Sequence, residues 1–217
     1  MAKIGWGRIL AGVATAAAAG AAYVYFKQRT ARAPRHETLF AEGGFEIRRY
    51  PPLLVIETSQ HGSRDRALGN GFGLLADYMF GEGRDGDEIP ITMPVLAAPL
   101  ADGGWRIRFL IPQGIDRAAL DMPGHGIDIA ELPARDVAVI SVPGKPGDRL
   151  FAARAAELRR WIKAQGRTAA GEPEHAYYNS PLKPGTALPN ELFIPLAGSI
   201  DGMSDQLLPK NNSSKPS

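Results

Sequence analysis

The same order of strand and helix patterns occurs twice between residues 44 and 196. Each half opens on two short apolar runs joined by a proline-containing turn, "FEIRRYPPLLVIETS" in the first half and "IDIAELPARDVAVISV" in the second. A helical pattern follows in each half, over residues 65–80 and 149–165, and then a proline-containing extended piece and a closing strand. The sequence therefore predicts two tandem β-α-β-β units in an α+β fold with an antiparallel sheet and two helices. The alternative is that the domain contains no true repeat and that its two halves resemble each other by chance. It stays open at this stage.

The closing strand of the first half, "WRIRFLI", shows the clearest alternation. Trp105, Ile107 and Phe109 fall on one face, and Arg106 and Arg108 fall on the other. This alternation is typical of a half-buried antiparallel strand. Two such units related by a pseudo-two-fold axis would let the sheet curve into a barrel and leave a cleft for a ligand.

Composition limits the range of functions. The 217 residues carry a net charge of +2, and the basic residues are scattered along the sequence. A nucleic-acid-binding domain normally has a concentrated basic face, so we expect no nucleic-acid partner. The absence of cysteine excludes disulfides, thiolate catalysis and cysteine-ligated metal sites.

The N-terminal segment, residues 1–35, differs from the rest of the chain. Basic residues flank an uncharged run of 18 residues, "ILAGVATAAAAGAAYVYF", which spans about 27 Å as a helix and so approaches the hydrocarbon thickness of a bilayer. We expect a single membrane anchor of undetermined orientation, or a cleaved signal that exports the protein, because Ala-x-Ala sites are present. Residues 36–198 form the predicted domain, and the polar tail, residues 199–217, is predicted to be disordered.

The sequence has no Gly-x-Ser-x-Gly elbow, Walker phosphate loop or His-Glu-x-x-His motif. The first helical pattern instead contains Gly69, Gly71 and Gly73, each of which costs about 1 kcal/mol relative to alanine in a helix. Their missing side chains allow close approach of a flat partner, either the sheet or a planar ligand. Both interpretations stay open at this stage.

Histidine, glutamate and lysine side chains offer few candidate sites. The chain has no chelating pair among its four histidines, for which we expect surface positions: His36, His61, His125 and His175. Glu57 and His61 lie four residues apart and could pair as base and orienter. Lys183, in "SPLKPG", lies in a loop stiffened by prolines and suits a carboxylate ligand, although an ordinary solvated turn lysine is an equal alternative.

Five segments follow one another along the chain: "FEIRRYPP", "GFGLLADYMFGE", "IPITMPV", "WRIRFLIP" and "YYNSPLKPG…NELFIPL". They occur in the order expected of the SOUL haem-binding protein family, which the chain resembles over about residues 45–196. The resemblance implies a distorted antiparallel β-barrel of two β-α-β-β halves with two flanking helices. It implies that "IPITMPV" is an edge or barrel-corner strand in which Pro90 and Pro94 block further pairing.

The resemblance also implies a function, the non-catalytic binding of haem or another tetrapyrrole, as carrier, buffer or sensor. The cleft would lie between the first helix and the Lys183 loop, with Lys183 facing a propionate and four residues forming the apolar wall: Leu68, Phe72, Ala76 and Met79. The axial iron ligand is left unassigned.

The chain departs from the family pattern in three places. Arg49 replaces the histidine of "E-I-R-H-Y" that was proposed as an iron ligand in some members. Gly69 and Asp77 stand where some members place basic residues, and Leu188 and Pro189 stand where paired arginines are frequent. These departures imply weaker haem binding, binding of another porphyrin, or a different flat ligand.

Two other functions stay open. The twin architecture also resembles effector-binding GyrI-like domains, a few of which are hydrolytic, with Glu57 as the candidate catalytic carboxylate. An interaction or envelope-structural protein with a vestigial cleft is the third possibility.

Overall fold

The computed structural model describes residues 33–81, 86–144, 146–178 and 189–198. In these ranges the chain forms two α-helices, α1 (Arg64–Met79) and α2 (Asp148–Ala164), and a short 3-10 turn at Arg117–Ala119. The same ranges contain nine strands: β1 Glu37–Glu42, β2 Phe45–Tyr50, β3 Leu53–Gln60, β4 Thr92–Pro99, β5 Trp105–Leu110, β6 Asp128–Leu132, β7 Arg135–Val142, β8 Glu174–Tyr177 and β9 Asn190–Pro195. Both helices begin and end within one residue of the predicted ranges.

All nine strands belong to one antiparallel sheet with the order β1-β2-β7-β9-β8-β4-β5-β3-β6. If β2 is exchanged with β6, β3 with β7, β4 with β8 and β5 with β9, the same strand order results, read from the opposite edge of the sheet. Only the additional β1 has no counterpart. The centre of this symmetry is the β4–β8 pair, where Leu96 lies opposite Ala176. The predicted mixed α+β fold with an antiparallel sheet and two helices is therefore confirmed.

Each half contains β-β-α-β-β, one strand more than the predicted β-α-β-β unit, because its two opening runs form separate strands. These two strands do not pair with each other: β2 pairs with β7, and β3 pairs with β6. Only Pro51 and Pro52 separate β2 from β3, and prolines have no backbone N–H for a ladder. In the described ranges β1 and β6 are the edges of the sheet, and the closed barrel stays a prediction.

Both helices cover the same face of the sheet, which we call the helix face. Neighbouring strand residues point to opposite faces: Ile56 packs in the cluster under α1, and Ile140 packs in the cluster under α2. Their neighbours Val55 and Val139 belong to a third cluster on the other face, which also includes Leu96. No described helix covers that face, so the strands bury it by curving around it. We call it the concave face.

The edge position predicted for "IPITMPV" is wrong. β4, which contains its second half, lies at the centre of the sheet between β8 and β5, not at an edge. The ladder between β4 and β5 shifts register between Thr92 and Leu96, so Pro94 lies in a bulge where its missing N–H interrupts no ladder bond with β5. Pro90 precedes the strand. The prolines are therefore accommodated by irregular pairing inside the sheet.

Several predictions fall on residues outside the described ranges, namely those for residues 1–32 of the N-terminal segment, for Lys183 and for the tail, residues 199–217. Within the described ranges, no helix combines the length and apolar character needed to cross a membrane.

Candidate functional site

The three glycines of α1 have two different surroundings. Gly71 faces the sheet, and a Cβ placed there would lie 3.0 Å from the side chain of Ile107 on β5. Gly69 and Gly73 are exposed, and no described atom lies within 4 Å of the position that a Cβ would take on either of them. Gly71 therefore serves close helix-on-sheet packing, whereas Gly69 and Gly73 leave open space above the helix.

The described wall residues predicted from the sequence lie on one side of α1. Leu68 and Phe72 are half-buried and pack against the cluster under α1, and Phe72 meets Phe109 edge-on with a ring-centroid distance of 5.1 Å. Ala76 is buried at 6% exposure, and Met79 has no exposed surface. At about 100° per residue, Gly69 lies next to the Leu68–Phe72 side of the helix. Leu68, Phe72 and Gly69 together form the accessible part of this surface, which we call the α1 surface.

Lys183 lies outside the described residues, and the last described residue before it is Tyr178. Tyr178 packs against the same cluster that supports α1. Its hydroxyl donates a hydrogen bond to a carboxylate oxygen of Glu191, which also accepts two bonds from Arg48, at 2.8 and 2.9 Å. Burial raises the pKa of the Tyr178 phenol above its usual value, so the hydroxyl remains a donor at neutral pH. This network fixes the start of β9 and the end of the Glu174–Tyr178 segment.

Glu57, the candidate catalytic carboxylate, is already engaged on the concave face. Arg108 donates from Nε to Glu57 at 2.6 Å and from Nη1 to Glu174 at 3.0 Å, and Arg135 completes the chain with a 2.7 Å bond to Glu174. His61 makes no described contact with Glu57. A carboxylate held by an arginine at this distance is a poor general base, and the Glu57–His61 pair that the spacing would allow is not formed.

The expectation of a surface position is wrong for His175. It lies on β8 with 7% exposure, and its ring stacks on Phe151 at a centroid distance of 3.7 Å. The guanidinium of Arg64 lies over the Phe151 ring, 5.1 Å from its centroid. Burial, and to a smaller extent the charge of Arg64, lowers the pKa of His175 to about 3. The imidazole is therefore neutral and enclosed between the two helices.

The remaining histidines, His36, His61 and His125, are exposed, as predicted. Partial desolvation lowers the pKa of His36, whose ring lies 5.1 Å from the Tyr50 ring. The described residues contain no group of three or more histidine, aspartate or glutamate side chains that could hold a metal ion. Arg49 lies on β2 and bonds Asp136 at 2.9 Å. Four strands separate β2 from β5 in the sheet order, so position 49 lies beside β7, the strand on which α2 packs, and not under α1.

Sequence reasoning missed the bridge between the helices that Arg64 makes. Arg64 lies at the first position of α1, 2.7 Å from Asp148 at the first position of α2, and it donates to the carbonyl of Pro146 at 3.1 Å. Its side chain is only 9% exposed. The available signal was its place directly after the Ser63 N-cap, but the partners come from the other half of the chain.

A small space with a cavity volume of about 10 Å³ lies on the concave face, lined in part by Tyr50, Leu53, Arg135 and Phe193. Small-molecule pockets usually enclose about 300–1,000 Å³. This space is therefore too small for a tetrapyrrole, and a ligand of that size would need a more open surface.

The family model described as SOUL heme-binding protein matches residues 31–195. No curated protein sequence matches the chain. Among solved structures, the EcmrR C-terminal domain is similar with a TM-score of 0.55 and 12% identity, over 71% of this chain and 98% of that chain. A hydrolase encoded by lin2189 from Listeria innocua is similar with a TM-score of 0.50 and 10% identity, over 73% of this chain and 94% of that chain. At such identities these two proteins share the fold alone with this chain. The family match extends from the residues before β1 to the end of β9, and the chain belongs to the SOUL haem-binding protein family.

Proposed function

We propose that the domain binds haem or a related tetrapyrrole on the α1 surface without catalysing a reaction, as a carrier, buffer or sensor. The observation that supports this most directly is the open space above Gly69 and Gly73, next to the half-buried side chains of Leu68 and Phe72. A porphyrin is flat and apolar over most of its area, so it gains from an apolar surface on which no exposed side chain prevents close contact.

The aromatic ring of Phe72 is well suited to hold such a plane. Its edge-on contact with the fully buried Phe109 fixes the ring, so little side-chain entropy is lost when a ligand stacks on it. Offset stacking between aromatic systems contributes about 0.5–1.5 kcal/mol beyond area burial. Phe72 is therefore the residue whose removal we expect to weaken binding most.

The propionates would be held from the segment that follows Tyr178, where Lys183 lies. A lysine ammonium attracts a carboxylate as a point charge, with little demand on geometry. Asp77 is exposed on α1, and its negative charge opposes that of a propionate nearby. We therefore propose that the propionates point away from the C-terminal end of α1 and towards the Lys183 segment.

The side chains at the α1 surface suit contact with the porphyrin ring better than ligation of its iron. His175 is enclosed, and Met79 is fully buried, so neither side chain reaches a ligand on the α1 surface without rearrangement. The exposed His36 lies against Tyr50 of the concave-face cluster, which leaves the exposed His61 and His125 as the described histidines open to an iron on the helix face. We expect the contacts with the ring to dominate, so that haemin and metal-free protoporphyrin bind with similar affinity.

Titration of the full chain with haemin and with metal-free protoporphyrin, followed by absorbance and by tryptophan quenching, tests this proposal. Saturable one-to-one binding of both supports a surface that recognises the ring. Binding of haemin alone would reveal an axial ligand, to be located by substituting His61 and His125. No saturable binding of either would overturn the proposal and favour a different small-molecule ligand.

Leucine substitutions at the sixth position of each helix form a matched pair. Gly69→Leu adds a side chain above the proposed surface, and we expect it to weaken porphyrin binding at least tenfold, about 1.4 kcal/mol, while the helix becomes intrinsically more stable. Ala153→Leu adds a comparable side chain to the exposed side of α2 and should leave the affinity unchanged. Unchanged affinity in Gly69→Leu, Phe72→Ala and Lys183→Ala would show that the ligand binds elsewhere.

A further inference from the structure

Folding gathers basic residues of the second half onto one side of α2. Arg149, Arg160 and Lys163 are exposed, and at about 100° per residue they fall within about 60° of one another around the helix axis. They extend over about 21 Å along the helix at about 1.5 Å per residue. The exposed positions between them carry small side chains: Ala152, Ala153 and Ala156. This stripe, which we call the α2 stripe, is flat and cationic.

The charges of the α2 stripe are not neutralised by the part of the chain that the structure describes. Two other arginines of α2 have acidic partners, Arg154 with Glu157 at 2.8 Å and Arg159 with Glu172 at 3.4 Å. Arg149, Arg160 and Lys163 have no acidic partner in the described ranges. The helix contains five basic and two acidic residues, whereas α1 contains two of each. The excess of positive charge therefore belongs to one of two symmetry-related helices.

We propose that the α2 stripe docks the domain onto the anionic headgroups of a lipid bilayer. The apolar side of α2, including Phe151, Leu158 and Ile162, is buried against the sheet, so the helix does not insert and the contact is electrostatic. A planar array of headgroups matches a flat stripe on a helix that lies on its sheet, whereas a nucleic-acid groove requires a projecting element. The 18-residue uncharged run at the N-terminus, which we expect to act as an anchor, would provide a second connection to the same membrane.

The strength of this contact defines its role. Each basic residue near an anionic membrane raises the binding constant about fivefold, so the three together contribute roughly a hundredfold. Such a contact is too weak for stable attachment alone, since stable anchoring requires two signals. It is sufficient to orient a domain that is already held at the bilayer, with the helix face towards the lipid.

The absence of cysteine allows single-site labelling of the full chain. A donor fluorophore on Ala153→Cys reports the α2 stripe, and the same donor on Ser141→Cys reports the opposite face of the same half. The protein is reconstituted with vesicles of phosphatidylcholine alone or with about 30 mol% phosphatidylserine, an anionic lipid of cytoplasmic leaflets, and both vesicle types carry headgroup acceptors. We expect energy transfer from position 153 to exceed that from position 141 in the anionic vesicles only, and to fall at high salt.

Charge reversal on each helix provides the matched control. Arg160→Glu should remove most of the dependence on phosphatidylserine, whereas Arg66→Glu, the same change on the exposed side of α1, should retain it. Equal transfer in both vesicle types, no association with either, or equal effects of the two substitutions would overturn the proposal. Binding of a duplex oligonucleotide that Arg160→Glu abolishes, without lipid dependence, would assign the stripe to nucleic acid instead.

Discussion

Gly71 and Gly73 lie two positions apart on α1 and differ in what surrounds them. A methyl group at Gly71 enters the closely packed contact with Ile107, whose side chain is fully buried. A methyl group at Gly73 meets no described atom. The two positions therefore separate the packing function of glycine from its effect on helix propensity.

We predict opposite changes in the free energy of unfolding. Gly73→Ala should stabilise the protein by about 0.5–1 kcal/mol through helix propensity. In Gly71→Ala the same gain is offset by overpacking, which costs about 1–3 kcal/mol. Urea denaturation of both variants measures the difference, and equal stability of the two would contradict the close approach at Ile107.

His175 makes stability depend on pH because its pKa is lowered to about 3 in the native state, from 6.5 in the unfolded chain. Below pH 6.5 the unfolded chain binds a proton that the native protein excludes, so this contribution is complete above pH 6.5 and is lost as the pH falls towards 3. We predict that His175→Phe, which preserves an aromatic ring in the stack, reduces the loss of stability between pH 6.5 and 5 by up to about 2 kcal/mol.

Denaturant unfolding at several pH values tests this prediction. His61→Gln, which changes an exposed histidine, is the control variant. A profile of His175→Phe parallel to that of the unsubstituted protein would show that His175 binds a proton as readily in the native state as in the unfolded chain, which would contradict its lowered pKa.

Individual residues show why sequence predicts some positions and not others. The alternating strand residues Ile107 and Phe109 were placed correctly because their partners repeat along the sheet. His175 was placed incorrectly, because its environment is set by Phe151 of α2. The partners of Glu57 could not be predicted either, because Arg108 and the Glu174 and Arg135 beyond it come from other strands. No spacing rule within one element identifies such partners.

At the scale of elements, Arg64 connects the first turns of the two helices. Its side chain packs over Phe151 and bonds the loop before α2, and it is largely buried. Asp148, its acidic partner, is 79% exposed. Most of the contribution of Arg64 should therefore come from packing and from the bond to the Pro146 carbonyl, because exposed ion pairs contribute little.

We predict that Arg64→Ala lowers the free energy of unfolding by about 1.5–3 kcal/mol, whereas Asp148→Ala lowers it by at most about 1 kcal/mol. Chemical denaturation gives both values, and hydrogen exchange should show earlier opening of the first turn of α2 in Arg64→Ala. If the two substitutions lower the free energy of unfolding by the same amount, the ion pair alone would account for the bridge.

The helices were predicted almost to the residue because their apolar positions recur at helical spacing. The placement of "IPITMPV" failed for a physical reason. Proline excludes regular pairing, but it does not exclude a central strand when a bulge accommodates it. Bulges depend on the partner strand and are therefore not visible in the sequence of one strand.

At the scale of the whole molecule, the two halves are interleaved. Strand pairs β2–β7, β3–β6 and β4–β8 each join one half to the other. The cluster on the concave face also draws residues from both halves. Neither half can complete its sheet or its core alone, so the repeat does not divide the molecule into independent folding units.

We predict a single cooperative unfolding transition despite the repeat. Trp105 reports the first half and Trp161 the second, so single-tryptophan variants should give coincident urea midpoints, which is the test of two-state behaviour. A fragment that ends before β6 should be unfolded by circular dichroism. Separate midpoints, or a folded fragment, would be incompatible with this interleaving.

The symmetry of strand order has a consequence for the origin of the fold. A chain with one half alone would find the partners of its first, second and third strands in a second copy of itself, related by a two-fold axis at the Leu96–Ala176 position. The pairing scheme is therefore that of a homodimer whose subunits exchange strands. Gene duplication and fusion would convert such a dimer into a monomer through one connection, residues 111–127, and would then allow the two helices to diverge, one losing side chains at Gly69 and Gly73 and the other accumulating arginines.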